Sequence, residues 1–134
     1  MLTFHLDHVA INVRDLAVSA TFYEQVFSFE RLKRPPFQVE GIWYRCGGHQ
    51  IHLVRWSGNF RTSSEIDVND IHFALRTTDF EGAVSHLRSL GLDPDLPSGD
   101  RRRIHLNRNS IAGFPQMYFL DPDLNQLEIN GAPA

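Results

Sequence analysis

Three histidines and one glutamate occupy repeated positions in this chain of 134 residues. His8 and His72 each open an apolar run and stand seven residues before an aspartate. His52 and Glu128 each occupy the third place of a segment that begins with glutamine and alternates with apolar residues. Imidazole nitrogens and carboxylate oxygens are ligands for divalent first-row metals. The four side chains are therefore predicted to bind one divalent ion, with zinc, nickel, cobalt, manganese and iron all compatible.

The number of ligands separates two kinds of chemistry. His8, His72 and Glu128 alone form a 2-His-1-carboxylate set with three open positions, which suits Fe(II) and oxygen. Adding His52 leaves two positions on an octahedral ion, enough for two neighbouring substrate oxygens, and favours Lewis-acid chemistry. We favour ligation by His52 because it occupies the repeat position of Glu128. Either set indicates catalysis, since structural zinc more often uses cysteines in a closed site.

The repeated spacings require two copies of one structural unit. The histidine–aspartate pattern recurs at an offset of 64 residues and the glutamine pattern at 76, so the second copy carries an insertion, placed within residues 92–113. We predict a single domain, 1–134, with module one at 1–56, a polar linker at 57–69 and module two at 70–134. The predicted fold class is α+β, with two βαβββ modules forming a curved mixed sheet and a concave metal cleft.

Hydrophobic periodicity and turn residues place the elements of each module. Asp15 and Asp79 are predicted helix N-caps, Gly91 a helix end, and Gly47-Gly48 a hairpin turn. In module one the predicted elements are strand 4–12, helix 16–28 and strands 29–33, 41–46 and 50–56. In module two they are strand 70–76, helix 80–90 and strands 104–106, 117–120 and 126–129, followed by a fraying tail at 131–134.

Strand parity assigns the candidate ligands to one face. Almost all their immediate neighbours are apolar and must pack on the helices, so the ligands point to the opposite, polar face. Asn12, Gln50, Arg76, Gln126 and Asn130 share that face. From this set we predict Asn12, Arg76 and Gln126 as substrate-binding residues.

Composition limits the possible partners. The chain is 42% apolar and 22% charged, with a net charge of -3, which gives no general attraction for nucleic acid or an anionic membrane. No apolar run is long enough to span a bilayer, and the N-terminal residues lack a signal-peptide pattern. A single cysteine, Cys46, fits a reducing compartment. We expect a cytoplasmic protein that acts on a small molecule.

Several segments resemble the vicinal oxygen chelate superfamily, which includes glyoxalase I, fosfomycin resistance proteins, methylmalonyl-CoA epimerase, extradiol dioxygenases and bleomycin resistance proteins. They are residues 6–16, Phe22-Tyr23, residues 70–74, and residues 119–123 with Asn125 and Glu128. The resemblance implies metal ligands on the first and last strands of each module, which correspond to His8, His52, His72 and Glu128. It also implies a homodimer, with each cleft built from two modules of one chain or of two.

The resemblance also distinguishes between reactions. Ala10 stands where fosfomycin transferases have threonine, which argues against their chemistry. Tyr118 lies ten residues before Glu128, as in extradiol dioxygenases, but the further catalytic histidine of those enzymes, expected a few residues before Met117, is absent. Tyr118 and Glu128 are the candidate catalytic residues, and Tyr118 is also a candidate substrate contact. Leu124 replaces a turn glycine, so we expect Asn125 to take the positive φ.

Three functions follow from these comparisons. The first is a metal-dependent glyoxalase-like enzyme, a lyase, isomerase or transferase acting on a small oxygenated substrate. The second is an Fe(II) extradiol-type dioxygenase. The third is a protein that sequesters an antibiotic or toxin, which four retained ligands disfavour. The sequence leaves open whether Arg101-Arg102-Arg103 is a solvated loop or binds an anionic substrate group.

Overall fold

The computed structural model describes residues 1–133 and divides the chain into two compact units. Unit 1 spans Met1–Phe60, and unit 2 begins at Arg61, inside the predicted linker. Unit 1 contains β1 (His8–Val13), α1 (Leu16–Phe27), β2 (Glu30–Leu32), β3 (Gly41–Cys46) and β4 (His49–Arg55). Unit 2 contains β5 (His72–Thr77), α2 (Phe80–Ser89), β6 (His105–Asn107), β7 (Gln116–Leu120) and β8 (Gln126–Gly131). In the predicted C-terminal tail, Ala134 lies outside the described residues.

Each unit forms its own four-stranded mixed sheet. The strand order is β1-β4-β3-β2 in unit 1 and β5-β8-β7-β6 in unit 2. In both sheets the first and last strands of the unit pair in parallel, while the other neighbours are antiparallel. The predicted α+β class and the two βαβββ modules are therefore confirmed, with hydrogen-bonded strands arranged as two sheets.

The parallel pairs have the same register in both units. His8 lies opposite Gln50 and Ala10 opposite His52 in unit 1, and His72 lies opposite Gln126 and Ala74 opposite Glu128 in unit 2. Side chains two residues apart on a strand share one face. Each unit therefore places two candidate ligands on the same face of two neighbouring strands.

The other face of each sheet contributes to a hydrophobic core. In unit 1 the alternate residues Ile11, Val13, Ile51 and Leu53 are buried, as is Tyr23 on α1. In unit 2 the fully buried side chains include Ile104, Met117, Phe119, Leu127 and, from α2, Leu87. Because these alternate residues are buried in the core, the candidate ligands between them point to the opposite face of each sheet.

Both predicted helix N-caps are present. Asp15 Oδ1 accepts a hydrogen bond from the Val18 amide at 3.1 Å, and Asp79 Oδ1 accepts one from the Gly82 amide at 2.9 Å. These bonds satisfy amides that have no partner within the helix. Neither helix is long and apolar enough to cross a membrane, a finding limited to the described residues.

Strand β1 starts later than predicted. The ladder begins at His8 because its partner β4 begins at His49, directly after the turn at Gly47, where φ is 57°. Residues before Asp7 therefore have no strand to pair with, and Phe4 is 87% exposed. Strand β5 is delimited in the same way, since β8 begins at Gln126 opposite His72.

The turn between β7 and β8 departs from the expectation for Asn125. Leu124 itself takes the positive φ, at 67°. The Asp121 carboxylate accepts hydrogen bonds from the amides of Asp123 and Asn125 and from the Asn125 side chain, which fixes the chain on either side of Leu124. This network holds Leu124 in a conformation that a leucine rarely adopts.

Ser28 offers a test of backbone conformation, since it ends α1 at φ 55° and ψ 36°. We expect Ser28→Gly to raise the free energy of unfolding by about 1 kcal/mol, because glycine adopts this region without the Cβ penalty. Urea unfolding measures the change. Ser28→Ala is the control, because it removes the hydroxyl but keeps the Cβ. Equal stabilisation by both variants would contradict a conformational cause.

Candidate metal centre

His8 and His52 form the candidate ligand pair of unit 1. Their rings stack with centroids 4.1 Å apart and an interplanar angle of 16°. Trp43 stacks on the other side of His52, at 4.2 Å and 4°. Trp43 pairs with His52 across β3 and β4, so the sheet register produces this stack. Both faces of the His52 ring are therefore covered, and His52 is 7% exposed.

The two rings of this pair present different nitrogens. His8 Nδ1 lies 2.7 Å from Asp7 Oδ2, and a carboxylate only accepts, so Nδ1 carries a proton and Nε2 is left for another partner. His52 Nε2 lies 2.8 Å from Gln50 Oε1. Because that oxygen is an acceptor, the His52 proton sits on Nε2 and the basic nitrogen is Nδ1.

Burial lowers the pKa of His52 below its usual value, and the neighbouring His8 lowers it further. Asp7 opposes this effect with its negative charge, while the positive charge of Arg34 adds to it. Removing an imidazole from water disfavours its charged form. His52 is therefore a neutral ring at pH 7, which is the form that binds a metal.

His72 and Glu128 form the candidate pair of unit 2. His72 Nε2 lies 3.6 Å from Glu128 Oε1. The other ring nitrogen, Nδ1, lies 2.7 Å from the carbonyl oxygen of Asp70 and must donate to it. His72 Nε2 is therefore left on the side of the Glu128 carboxylate. It is the same ring nitrogen that His8 leaves for a ligand.

Glu128 is a buried carboxylate held by neutral amides. It is 5% exposed. Asn130 Nδ2 donates to Oε2 at 2.7 Å, and Gln116 Nε2 donates to Oε1 at 3.3 Å. Asn130 is held in turn by Arg76, whose Nε donates to Asn130 Oδ1 at 2.8 Å. This arrangement fixes the orientation of both carboxylate oxygens.

Tyr118 lies opposite Glu128 on β7 and contacts His72 edge to face, with ring centroids 5.3 Å apart. Burial raises the pKa of Tyr118 to about 12, and its hydrogen bond to Glu128 contributes to the increase. The phenol is therefore protonated at neutral pH. Tyr118 can donate a hydrogen bond to an oxygen atom, but it is not available as a base.

The donor atoms of three residues suit a divalent ion. Metal-binding histidines usually donate their second ring N–H to a carboxylate or a backbone carbonyl, as His8 and His72 do. His72 Nε2 and Glu128 Oε1 are 3.6 Å apart, close enough that both residues would hold the same ion. His52 presents the other ring nitrogen: its Nε2 donates to Gln50, so Nδ1 is the atom left for a ligand.

The structure groups the predicted ligands in twos. Unit 1 brings His8 to His52, and unit 2 brings His72 to Glu128. Within residues 1–133 neither unit gathers three His, Cys, Asp or Glu side chains into a group able to hold a metal. The four predicted ligands therefore form two pairs, one within each unit.

The predicted substrate-binding residues differ in their surroundings. Asn12 is exposed on β1, on the same face as His8. Arg76 is exposed on β5, with its guanidinium carbon 4.5 Å from the Phe114 ring centroid, and Tyr118 is buried beside Glu128. Gln126 already uses both polar atoms of its side-chain amide. Its amide oxygen accepts from the Asp67 amide and its amide nitrogen donates to the Asp67 carbonyl, both at 2.8 Å, so it secures the segment before β5.

The arginine triplet is partly used within unit 2. Arg101 donates to the carbonyl of Pro122 at 2.6 Å, and Arg102 forms an ion pair with Asp100 at 3.1 Å. Bonds to a neighbouring turn and to a nearby aspartate are typical of a solvated loop. We therefore assign neither arginine to the site.

Sequence reasoning assigned no orienting role to Asp7, the Asp70 carbonyl, Gln116 or Asn130, although it placed Asn130 on the ligand-bearing face. Two of them carried a readable signal. Asp7 directly precedes His8, and Asn130 shares the parity of Glu128. Gln116 could be found only from the register, because it pairs with Asn130 across β7 and β8.

Comparisons with known proteins agree with this architecture. The metallothiol transferase FosB of Bacillus licheniformis is 25% identical over 136 residues, covering 93% of this chain and 73% of that protein. A glyoxalase family protein from Bacillus anthracis has a similar structure, with a TM-score of 0.76 and 18% identity, covering 98% of this chain and 97% of the other.

A third relative was solved with a metal. It is a mutant of the fosfomycin resistance protein FosX from Listeria monocytogenes, complexed with Mn(II) and 1S,2S-dihydroxypropylphosphonic acid. Its TM-score is 0.69 at 16% identity, and the match covers 98% of this chain and 94% of the other. A family model matches residues 5–129, which include both ligand pairs. The chain therefore belongs to the Glyoxalase/Bleomycin resistance protein/Dioxygenase superfamily.

Proposed function

We propose that this protein is a divalent-metal enzyme of the glyoxalase-like kind, acting on a small oxygenated substrate. One observation supports this most directly. His8 and His72, at equivalent positions of the two units, both have Nδ1 bonded to an acceptor and Nε2 left for a ligand. Such outer partners fix the tautomer and raise the basicity of a metal-binding imidazole.

The proposed ligands are His8, His72 and Glu128, with His52 as the fourth candidate. Glu128 is suited to this role because a buried carboxylate is stabilised by a cation, whereas its amide partners carry no charge. A divalent ion would act as a Lewis acid that polarises a carbonyl or enediolate oxygen. Its identity among zinc, nickel, cobalt, manganese and iron is not specified by this ligand set.

The chain's own residues would orient the substrate. Tyr118 is protonated and its hydroxyl is bonded to Glu128, so it would donate to a substrate oxygen by exchanging that bond. Arg76 and Asn12 are the proposed polar contacts on the ligand-bearing faces. Glu128 is the candidate for proton transfer, because Tyr118 remains protonated at neutral pH.

A ring-cleaving Fe(II) dioxygenase is the second candidate, because His52 presents Nδ1 whereas His8 and His72 present Nε2, which makes His52 the candidate ligand least like the others. If His52 does not bind the ion, the ligand set is two histidines and one carboxylate, which leaves room for a substrate and oxygen. Protein purified anaerobically should be assayed with a hemithioacetal and, separately, for oxygen uptake with catechols. Hemithioacetal turnover without oxygen consumption is expected. Oxygen uptake would favour the dioxygenase, and binding without turnover would favour sequestration.

We also propose a homodimer, because the candidate ligands lie in two pairs and the resemblance to the superfamily implies that each metal cleft is built from two modules of one chain or of two. A symmetric pair of chains would then contain two equivalent centres. Light scattering at micromolar concentration should give twice the mass of 15.4 kDa. A monomer mass at that concentration would contradict the proposal.

The ligand assignment can be tested by metal content. Wild-type protein is expected to bind about one divalent ion per chain, and His8→Ala, His72→Ala and Glu128→Ala should each lower the affinity by at least about tenfold. Competition with a fluorescent chelator at fixed pH measures this. His49→Ala is the matched control, because His49 is an exposed histidine on the same strand as His52.

His52→Ala belongs to the same series. A loss of affinity equal to that in His72→Ala supports four ligands and Lewis-acid chemistry. Unchanged affinity leaves three ligands and favours the dioxygenase. Full metal occupancy in Glu128→Ala would remove the basis of the whole assignment.

A further inference from the structure

Arg34, between β2 and β3, is a guanidinium whose hydrogen-bonding capacity is largely unused. Its Nη2 donates to the Val39 carbonyl at 2.7 Å, which accounts for one of five N–H groups. Its Nε is buried with no hydrogen-bond partner. Among the residues that the structure describes, Arg34 forms no ion pair, whereas Arg45 on β3 pairs with Glu30 at 3.2 Å.

The position of Arg34 depends on the glycine that begins β3. A Cβ at Gly41 would lie 2.9 Å from both Nε and Nη2 of Arg34 and 2.6 Å from the carbonyl oxygen of Leu53. The guanidinium therefore packs against bare backbone. It is held in place before any ligand arrives, which lowers the entropic cost of binding.

A row of rings extends from Arg34 to the candidate metal ligands. The Arg34 guanidinium carbon lies 5.0 Å from the Phe37 ring centroid, Phe37 lies 6.0 Å from Trp43, and Trp43 lies 4.2 Å from His52. Phe37 is 56% exposed and its neighbour Val39 is 53% exposed. An uncompensated cation thus stands at one end of an accessible apolar surface, and a metal-ligand pair at the other.

We propose that this row, Arg34–Phe37–Trp43, binds a small ligand that carries a carboxylate or phosphonate on a flat apolar body. The anion pairs with the guanidinium, and the flat body lies against Phe37 and Trp43. A planar guanidinium matches the geometry of such anions, and charge-assisted hydrogen bonds are stronger than neutral ones. The inference rests on the proposed function in one respect: the ligand is the substrate, with its oxygenated end at the metal centre.

Tryptophan fluorescence provides the test, because the chain has two tryptophans and Trp43 lies within the row. In a Trp56→Phe background, Trp43 alone reports binding. The probes are benzoate, phenylphosphonate, the neutral benzamide and the ringless acetate. We expect benzoate or phenylphosphonate to quench Trp43 saturably, with benzamide and acetate at least about tenfold weaker, which corresponds to about one charge-assisted hydrogen bond.

Arg34→Gln should weaken binding of the preferred anion by about tenfold or more. Arg45→Gln should leave that binding unchanged, because it removes an arginine that is already paired and lies on the same face of β3 as Trp43. The anion that binds more tightly identifies the ligand class. Equal binding of benzamide, or unchanged binding in Arg34→Gln, would overturn the proposal. Thermal unfolding confirms that the variant is folded, and Arg34→Lys, which keeps the charge but not the planar fork, should recover only part of the affinity.

The titrations are run on protein as purified and after chelation, with the metal content of Arg34→Gln measured alongside. Anion binding that survives chelation supports the row even if the metal assignment fails. A loss of metal in Arg34→Gln would instead show that its weaker anion binding arises at the metal centre, and it would overturn the proposal that the row binds the anion. Failure of the metal series therefore remains distinguishable from failure of this proposal.

Discussion

The parallel pairing between the first and last strands of each unit is the constraint on which the candidate site depends. A parallel pair cannot be closed by a tight turn, so the chain must cross over through a helix and two further strands before it returns. The return register places His52 beside His8 and Glu128 beside His72. A slip of one residue would turn every side chain of β4 or β8 to the opposite face and bury a ligand against the helix.

The two units use this common geometry with different chemistry. In unit 1, stacking of flat rings holds the pair, and His52 lies between His8 and Trp43. In unit 2, hydrogen bonds from Asn130 and Gln116 hold a carboxylate, and Arg76 secures Asn130. Stacking leaves one nitrogen of each ring, His8 Nε2 and His52 Nδ1, for a ligand, whereas the amide network fixes both oxygens of Glu128. The repeat therefore conserves position while each copy supplies its own means of orientation.

The sequence allowed much of this arrangement to be predicted, because repeat spacing and strand parity are properties of the backbone. The strand types and the shared face of the candidate ligands in each unit follow from them, whereas both helix caps follow from the aspartates that precede the helices. Features that depend on side-chain rotamers were beyond this reasoning. Gln126 has the parity of a site residue yet bonds to the backbone of Asp67. Leu124 takes a positive φ because Asp121 organises the turn around it, and no local propensity indicates that.

The strand order also gives the ligands unequal local stability. Strand β8 is hydrogen-bonded to β5 and β7, and all six of its residues are buried, so Glu128 lies in the part of unit 2 that should open last. His8 is the first residue of β1, which stands at the end of its sheet order, and the chain before it is exposed. Such an end frays readily, and an ion bound to His8 would have to halt that fraying. Amide hydrogen exchange in β1 would then slow on metal binding far more than exchange in β8, because a bound ion would stabilise the N-terminal strand against local opening.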